Sequence, residues 1–581
     1  MKILKLATAT LAVTLLAAAC GGATPTSVTV VQTSIVKETQ VVKETQVVKE
    51  TQVVQQTVQV QVPVTPVPVP GTQVLRWALE GINEPSTLDP AKAGDSQIVF
   101  ATSLLFRGLV QLDAQLRIKP DGAESWTVSA DTKTYTFKLR KGLKFSDGSD
   151  VTSDDVVFAI TRSLDPKVGG GNGAYYLSNI KGAADFTSGK SDKLPGVTAL
   201  DPSTVQIALE QPSAYFLYQL NFITGYILSK KSVTDGGEKW YEKPVGTGPF
   251  ILKEWQHNQK LVLTPNPYYW AGPPNQLKEV DLVFYGGDQG SVTAFKDYQT
   301  SAVDVIGSFG QTPIPSQFLP QVKDLPDFKS APQFFVRYIG FNNKLKPFDN
   351  TMVREAFARG IDKSKLIKLL GDGAARVQDR ILPGGIPGSE MKIDTLAFDI
   401  DIANKLLTDA KFDKTQKLVL TYGAEGDNAK VVEFIVQQWK TNLGVNVTAE
   451  PLELQTFSQK LTDTYNDPAK GLQMYFSVWG ADYPDPQNWL SQQLRTDVGN
   501  NNGHYSNTDF DGLVDKADVE VKDVTARLKS YNEAEQIAVT EVGWLPLFSP
   551  NTNAMVKPYV TGLVFTGQGI IIPDWSAVRA Q

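Results

Sequence analysis

The sequence predicts an α/β fold in which two lobes are joined by segments of the chain that cross between them. From Val74 to Gln581 no Pro/Gly/Ser-rich linker interrupts the chain, although its length of 581 residues is enough for two to four compact units. Helix-like and strand-like patterns also alternate between residues 427 and 479, as in a doubly wound sheet. Lobes that share crossing strands account for both observations better than separate domains on flexible linkers.

The first clear elements lie in the N-terminal third. Residues 134–140 alternate apolar and polar side chains, which predicts a half-buried strand, and Asp147 and Gly148 then mark a turn. Residues 152–155 (TSDD) offer an N-cap and early acidic groups before an apolar segment, so we expect a helix over residues 156–164.

A second group of elements lies further along the chain. Residues 427–443 predict a helix that ends at Gly444, because their apolar side chains recur at helical spacing. These side chains are Val431, Phe434, Ile435, Trp439 and Leu443. Residues 445–453 and the apolar residues 472–479 predict strands. Ligands of a doubly wound sheet bind beyond its strand ends, so the segment after residue 479 is a candidate site.

Composition excludes several classes of function. With two His and one Cys, the chain cannot build a structural zinc cluster, a disulfide framework, or a Cys/His catalytic pair together with any other site of this kind. The formal net charge of −6 gives no basic surface for nucleic acid. We therefore predict no metal site, no cofactor and no nucleic-acid partner.

The N-terminal residues 1–19 have the features of a secretory signal. Lys2 and Lys5 precede an apolar run that ends Leu16-Ala-Ala-Ala-Cys20 and is too short to span a bilayer. This ending resembles the lipobox of bacterial lipoproteins, in which the cysteine is lipidated, although the family pattern places Leu at the position of Ala17. Lipidation of Cys20 would anchor the protein to a membrane surface. The alternative is an ordinary cleavage site next to a free thiol.

Residues 20–73 are predicted to be a tether. The hexapeptide KETQVV occurs three times in succession, at 37–42, 43–48 and 49–54, and is followed by Val/Pro alternation up to Gly71. A six-residue period fits neither a coiled coil nor a solenoid, and the prolines favour an extended stem. The valines leave self-association of this segment open as an alternative.

Separated sequence blocks resemble one family, the extracytoplasmic solute-binding proteins of the oligopeptide and dipeptide class that serve ABC importers. The blocks follow one another collinearly from about residue 75 to residue 565. They are STLDP (86–90), LFRGL (105–109), residues 119–160, PVGTGPF (244–250), NPYYW (266–270), residues 353–367, VWGADYPDP (478–486), HYSN (504–507) and WLPL (544–547). Each block is weak alone, and their collinear order makes the resemblance specific.

The resemblance implies a periplasmic-binding-protein-like fold of type II, with mixed sheets flanked by helices, a hinge between the lobes and an additional inserted subdomain. The family layout assigns residues 74–112, 223–337 and 549–581 to lobe I, residues 113–222 to the inserted subdomain and residues 338–548 to lobe II. The chain would then cross between the lobes at residues 337–341 and 548–551.

Asp482 is the main candidate for ligand binding. It follows the predicted strand that ends at Trp479, and a carboxylate enclosed there suits a cationic group such as a peptide α-ammonium. In the family that the chain resembles, the aspartate of the matching Gly-Ala-Asp motif has this role, and the adjoining residues, here Trp479 and Gly480, supply an aromatic wall and backbone contacts. The alternative is that Asp482 only caps a turn and Trp479 is a core residue. Asp485, between two prolines, is expected to be a turn residue.

Other candidates are weaker. Arg337 and Arg107 are the candidate partners of a ligand carboxylate, although a lone arginine more often forms a structural ion pair. Asn507, Asp509 and Asp511 only loosely match a calcium loop, so Asn507 or Asp509 is better explained as a helix N-cap. His504 has no second imidazole nearby and is expected to be a polar loop residue. Residues 169–173 (GGGNG) lack the Lys-Ser/Thr of a P-loop and predict a flexible loop.

Three classes of function follow from these observations. The main prediction is a lipid-anchored, extracytoplasmic, monomeric protein that captures oligopeptides or dipeptides and delivers them to an ABC permease. The alternative is the same fold binding another solute for import, such as an oligosaccharide or a nickel chelate. An enzyme is not expected, because Asp482 and Asp485 are too close in sequence to flank a substrate and two histidines support no Ser/His/Asp order.

Overall fold

The structure is a computed structural model that describes residues 73–169, 171–287, 289–307, 314–371 and 373–580. The predicted signal sequence, Cys20 and almost all of the tether lie outside these residues, and so does Gly170. In the described part, no helix is long and apolar enough to cross a membrane.

The described residues form 22 strands. They are β1 Val74–Glu80, β2 Val110–Leu112, β3 Ile118–Pro120, β4 Ala123–Val128, β5 Thr134–Leu139, β6 Val197–Asp201, β7 Thr204–Ala208, β8 Phe250–Gln256, β9 Lys260–Pro265, β10 Glu279–Tyr285, β11 Val305–Ile306, β12 Phe328–Pro332, β13 Phe335–Phe341, β14 Ala375–Val377, β15 Leu418–Gly423, β16 Val447–Leu452, β17 Met474–Gly480, β18 Leu545–Val556, β19 Val560–Thr561, β20 Val564–Thr566, β21 Gly569–Ile571 and β22 Arg579–Ala580.

The same residues form 16 α-helices, with short 3₁₀ turns between some of them. They are α1 Ser96–Leu105, α2 Ser153–Leu164, α3 Asn172–Tyr176, α4 Ala183–Thr187, α5 Phe216–Asn221, α6 Lys230–Gly236, α7 Gly290–Gln299, α8 Leu319–Val322, α9 Thr351–Arg359, α10 Lys363–Leu370, α11 Ile400–Asp409, α12 Asn428–Leu443, α13 Leu454–Asn466, α14 Ser491–Leu494, α15 Thr508–Val519 and α16 Val524–Thr540.

The elements predicted from periodicity are confirmed. The strand over 134–140 is β5, and the helix that follows is α2, where the backbone N–H and the hydroxyl of Thr152 both donate to the Asp155 carboxylate at 3.0 and 2.9 Å. The longer predicted helix is α12, and it ends at Gly444 with φ +67°, a conformation that glycine adopts without strain. The two strands predicted after it are β16 and β17.

One large mixed sheet organises the chain. Its order is β16-β15-β17-β13-β18-β11-β1-β10-β9-β8, and β12 and β14 also pair with β18. β15 runs parallel to β16 and β17, and β1 runs parallel to β10 and β11, whereas the remaining pairs in this sheet are antiparallel. A separate antiparallel sheet has the order β4-β5-β7-β6. The predicted α/β class with mixed sheets is confirmed.

Two strands join the two halves of the large sheet. β13 pairs with β18 through Arg337 opposite Phe548 and Ile339 opposite Leu545, with an irregularity between residues 337 and 338. The first part of β18 packs its apolar side chains against α12 and β15, and its last part packs Ala554 and Val556 against β1 and β10. The predicted crossing segments therefore lie in paired strands.

Separate hydrophobic cores surround these strands. One lies around β1, β9 and β10, a second between β15, β17 and α12, a third around the four-stranded sheet and α2, and a fourth between β13, α15 and α16. Residues that represent them are Trp77, Leu282 and Trp575; Leu420, Trp439 and Phe476; Phe137, Ile160 and Val205; and Val336, Phe510 and Tyr531. The assignment of residues 74–112, 113–222, 223–337, 338–548 and 549–581 to lobes and subdomain stays a prediction.

Candidate functional site

The loop after β17 holds Asp482 in place through Asn488. The Asp482 backbone N–H donates to Asn488 Oδ1 at 3.0 Å, and Asn488 Nδ2 donates to Asp482 Oδ2 at 3.0 Å. Asn488 is fully buried, so its amide gives the loop a rigid reference point. This reciprocal pair sets the direction of the Asp482 carboxylate.

Trp479 and Gly480 end β17 beside this loop. The indole N–H of Trp479 donates to the Asn488 carbonyl at 2.9 Å, and its ring is half-buried. Gly480 pairs with Phe335 in β13, and a Cβ at Gly480 would lie 2.5 Å from the Phe335 ring. A side chain at this position would therefore displace the Phe335 ring.

The Asp482 carboxylate faces hydroxyl groups and no cation. Burial raises its pKa, and hydrogen bonds from Asn488, Tyr176 and Tyr175 partly offset that rise. Among the described residues, no Lys, Arg or His lies within 4.0 Å of its oxygens. A cation that enters this space would find a desolvated negative charge and three hydrogen-bonded side chains.

Asp485 lies three residues further on and has a different role. Its carboxylate binds both Nη atoms of Arg527 at 2.6 and 2.9 Å, and it also accepts from the Gln487 backbone N–H at 3.0 Å. Asp485 is 3% exposed and Arg527 6% exposed. This buried ion pair anchors the loop, in agreement with the expected turn role.

Arg337 lies on β13, and in the described part of the chain no carboxylate oxygen lies within 4.0 Å of its guanidinium nitrogens. Its Nη1 donates to Asn428 Oδ1 at 3.3 Å. Burial lowers its pKa, and Glu425 offsets this only in part. Arg337 is paired with Val478, whereas Trp479 is paired with Val336, so Arg337 and Trp479 lie on opposite faces of the sheet.

Arg107 is engaged by an acidic partner. Its Nε lies 2.9 Å from the Asp121 carboxylate, which also accepts from Trp270 Nε1 at 2.7 Å. Burial disfavours the charge of Arg107, but the adjacent Asp121 carboxylate outweighs this and raises the pKa of Arg107. Arg107 therefore neutralises a buried carboxylate of its own chain, as expected of a structural ion pair.

Several site residues were not predicted from the sequence. Tyr175 and Tyr176 on α3 reach the Asp482 carboxylate, and Gln568 Nε2 donates to the Asp482 carbonyl at 3.3 Å. The expectation that residues 169–173 form only a flexible loop was wrong, because α3 begins at Asn172 directly after Gly171. The one available signal was the aromatic pair next to the glycines.

The weaker motifs have structural roles. Asn507 is the N-cap of α15, since its Oδ1 accepts from the N–H groups of Asp509 and Phe510 at 2.9 and 3.0 Å. His504 Nε2 lies 3.1 Å from the Thr464 carbonyl, and its ring stacks on Tyr465. The N-cap role of Asn507 is confirmed.

The charge environment of the two aspartates predicts opposite effects on stability. The folded state raises the pKa of Asp482, so this residue favours folding most below about pH 4, where it is protonated in both states, and that contribution is lost as the pH rises through the folded pKa. At pH 7, Asp482→Asn should therefore unfold at the same or a higher urea concentration than the wild type. This difference should shrink as the pH falls towards 4.

Asp485→Asn is the matched control, because it leaves Arg527 buried without a carboxylate. It should lose about 3 to 5 kcal/mol of unfolding free energy at pH 7. Urea unfolding followed by tryptophan fluorescence at a series of pH values measures both variants. A large loss of stability for Asp482→Asn at pH 7 would show that the carboxylate is already compensated in the ligand-free protein.

Comparison with known proteins agrees with this architecture. Residues 117–501 match the model of the bacterial extracellular solute-binding proteins, family 5, middle region. The periplasmic murein peptide-binding protein MppA of Escherichia coli is 30% identical over 497 residues, which cover 83% of this chain and 88% of that protein. The probable deoxycholate-binding periplasmic protein YgiS of the same organism is 29% identical over 508 residues, which cover 85% and 91%.

Solved structures show the same likeness. The Haemophilus influenzae OppA complex with the peptide RPPGFSPFR superposes with a TM-score of 0.69 at 26% identity, and the superposition covers 88% of this chain and 99% of that one. The two-lobed periplasmic-binding-protein fold expected from the sequence is thereby confirmed. The chain belongs to family 5 of the bacterial extracellular solute-binding proteins.

Proposed function

We propose that this protein is the extracytoplasmic solute-binding component of an ABC importer and that it captures oligopeptides or dipeptides between two lobes. Two relatives support a peptide ligand: MppA is a murein peptide-binding protein, and the OppA structure contains a bound nonapeptide. We infer that the protein catalyses no reaction. Capture needs only a ligand that contacts both lobes and so favours the closed state.

The observation that carries this proposal is the uncompensated carboxylate of Asp482. A peptide α-ammonium would neutralise it and satisfy it with hydrogen bonds in a space from which water is largely excluded. Trp479 would form a wall of this space, and the backbone at Gly480 would bind the peptide main chain. Main-chain recognition is independent of side-chain identity and suits a binder of many sequences.

We propose Arg337 as the partner of the ligand carboxylate, which requires the ligand to extend past the end of β17 from the Trp479 face of the sheet to the opposite face. Its guanidinium is largely buried, its pKa is lowered by burial, and Asn428 is its only hydrogen-bonding side chain in the described residues. A carboxylate would restore the favourable environment of a buried arginine. Arg107 is the weaker candidate, since Asp121 already neutralises it.

We propose the lobe boundaries given by the family layout. The hydrophobic core around β1 and β10 draws mainly on residues 74–112, 223–337 and 549–581, and the cores around α12 and α16 draw mainly on residues 338–548. The core of the four-stranded sheet draws mainly on residues 113–222. The segment pairing of β13 with β18 would act as the hinge.

We further propose that lipid at Cys20 anchors the protein outside the cytoplasm and that residues 20–73 hold the binding domain away from the membrane. Several relatives are periplasmic binding proteins, which supports an extracytoplasmic location. The permease subunits of the importer would receive the ligand from a monomeric protein.

Binding of a peptide with a free N-terminus should depend on Asp482. Asp482→Asn should weaken binding at least about tenfold, because a charge-assisted hydrogen bond is replaced by a neutral one. N-acetylation of the peptide should cost the wild type a similar factor and the variant much less. Calorimetry measures all four combinations, and equal binding of free and acetylated peptide by the wild type would refute the role of Asp482.

Binding of the other ligand end should depend on Arg337. Arg337→Gln should weaken binding of a free-acid peptide by about tenfold or more, and C-terminal amidation should cost the wild type a comparable factor. The amidated peptide should bind the variant and the wild type nearly equally. If amidation weakens both proteins by the same factor, the carboxylate is bound elsewhere.

The lipid anchor has its own test. Expressed in a bacterium that lipidates its exported proteins, the full chain should fractionate with membranes and incorporate labelled palmitate. Cys20→Ser should lose the label and become soluble after signal cleavage, since the only thiol of the chain is removed. Membrane attachment of Cys20→Ser without the label would contradict the proposal.

A solute without an ammonium group is the second candidate. The E. coli relative YgiS is named for deoxycholate, which carries a carboxylate and no amine. For such a ligand Arg337 would matter and Asp482 would not. Mass spectrometry of ligands that co-purify with the protein and are released by mild unfolding separates the two candidates.

A further inference from the structure

Tyr483, the residue directly after Asp482, places its ring in a hydrophobic core outside its own loop. Its side chain is 2% exposed and belongs to the hydrophobic core of the four-stranded sheet, together with Tyr135, Phe216 and Leu220. The other members of this core lie between residues 109 and 227. A residue more than 250 positions away thus completes the core of the proposed inserted subdomain.

The contacts of Tyr483 hold its ring in one orientation. The ring is nearly parallel to those of Tyr215 and Tyr218, with interplanar angles of 4° and 15° and centroid separations of 6.1 and 6.5 Å. Its hydroxyl donates to Gln487 Oε1 at 2.5 Å, within the same loop that carries Asn488. The side chain is therefore bound both to the subdomain and to the loop of Asp482.

Further contacts between the same two regions surround the site. Asn500 Nδ2 donates to the hydroxyl of Tyr175 at 3.4 Å, and the backbone N–H of Ala214 donates to the Asp518 carbonyl at 3.4 Å. Both bonds are long, whereas the burial of Tyr483 is nearly complete. Tyr483 is thus the attachment next to the site whose side chain is almost completely buried.

This attachment has a consequence for Asp482. The hydroxyls that face its carboxylate come from Tyr175 and Tyr176, which belong to the subdomain, whereas Asp482 belongs to the loop after β17. The carboxylate and the hydroxyls meet only when the subdomain lies against that loop. Insertion of the adjacent Tyr483 brings the two regions together.

We propose that Tyr483 is a positioning residue that latches the inserted subdomain to the binding loop and so assembles the Asp482 site without contacting the ligand. The proposal rests on the proposed function for its effect on peptide affinity. It assigns the inserted subdomain a part in forming the ligand site, and the contact between the subdomain and the binding loop then depends on a tyrosine side chain as well as on the ligand.

The test compares three variants. Tyr483→Ala removes the latch, Tyr483→Phe keeps the ring and loses only the hydrogen bond to Gln487, and Tyr218→Ala removes one stacking partner from the subdomain. Tyr218 is only half-buried, so its replacement should be tolerated even if Tyr483→Ala folds poorly.

Peptide affinity should fall about tenfold in Tyr483→Ala, less in Tyr218→Ala and little in Tyr483→Phe. The loss should be larger for a free peptide than for its N-acetylated form, because Asp482 is the group that is misplaced.

A second measurement needs no ligand. In the full chain with Cys20→Ser, fluorophores at Lys190→Cys and Lys460→Cys, both exposed, report the distance between the subdomain and α13 by energy transfer. In the ligand-free protein, Tyr483→Ala should lengthen or broaden this distance, and Tyr483→Phe should leave it unchanged. This distance tests the positioning role of Tyr483 even if the wild type binds no peptide. Failure of the wild type to bind peptide would refute the proposed function and not the role of Tyr483.

A core residue without a positioning role would give another pattern. Tyr483→Ala and Tyr218→Ala would then lower the melting temperature, while the interdomain distance and the ratio of affinities for free and acetylated peptide stayed as in the wild type. That result, in either variant that folds, overturns the proposal.

Discussion

Strand β18 is the constraint on which the rest of the molecule depends, because one continuous strand serves two hydrophobic cores. Its first residues pack with α12 and β15, its last residues pack with β1 and β10, and between them it pairs with β13 and β14. Each core thus contains residues from one half of the same strand. The two halves of the large sheet are therefore connected by a continuous strand, and the proposed closure around a ligand would have to bend the segment between the cores.

Two aspartates three residues apart show how the loop after β17 separates stability from binding. Asp485 has a buried arginine as partner, and breaking this pair would leave an uncompensated charge in the interior. Among the described residues, the hydrogen-bond donors of the Asp482 carboxylate are the neutral side chains of Asn488, Tyr175 and Tyr176, and burial raises its pKa. The first aspartate holds the loop, so the second can keep an unfavourable electrostatic position that a ligand cation would relieve. A carboxylate that the protein neutralised itself would gain much less from a cation.

Much of this arrangement was predictable from the sequence, and the limits have physical causes. Local periodicity located α2, α12 and β17, because their side chains face one core at regular spacing. The candidate position of Asp482 followed from its place after an apolar strand and from the family motif. The sequence could not distinguish the environments of Arg337 and Arg107. Only the folded chain brings Asp121 into an ion pair with Arg107, whereas Arg337 has a hydrogen bond to Asn428 and no ion pair among the described residues. The short helix α3 was missed because glycines around it oppose helix formation and tertiary contacts override that preference.

Tyr483 was unpredictable for a related reason. In the sequence it is one aromatic residue between an aspartate and a proline, and nothing local indicates that its ring belongs to a core formed by residues 109–227. Such a contact favours one placement of the subdomain, because the free energy gained by burying the Tyr483 ring is available only when the subdomain lies against the binding loop. If that free energy nearly balances the cost of closing, a modest differential affinity of the ligand suffices to shift the population. A latch much stronger than this would hold the site shut against entry, and a much weaker one would leave Asp482 without its tyrosine neighbours. The partly exposed rings of Tyr215 and Tyr218 fit the intermediate case, because they bury Tyr483 while keeping part of their own surface in water.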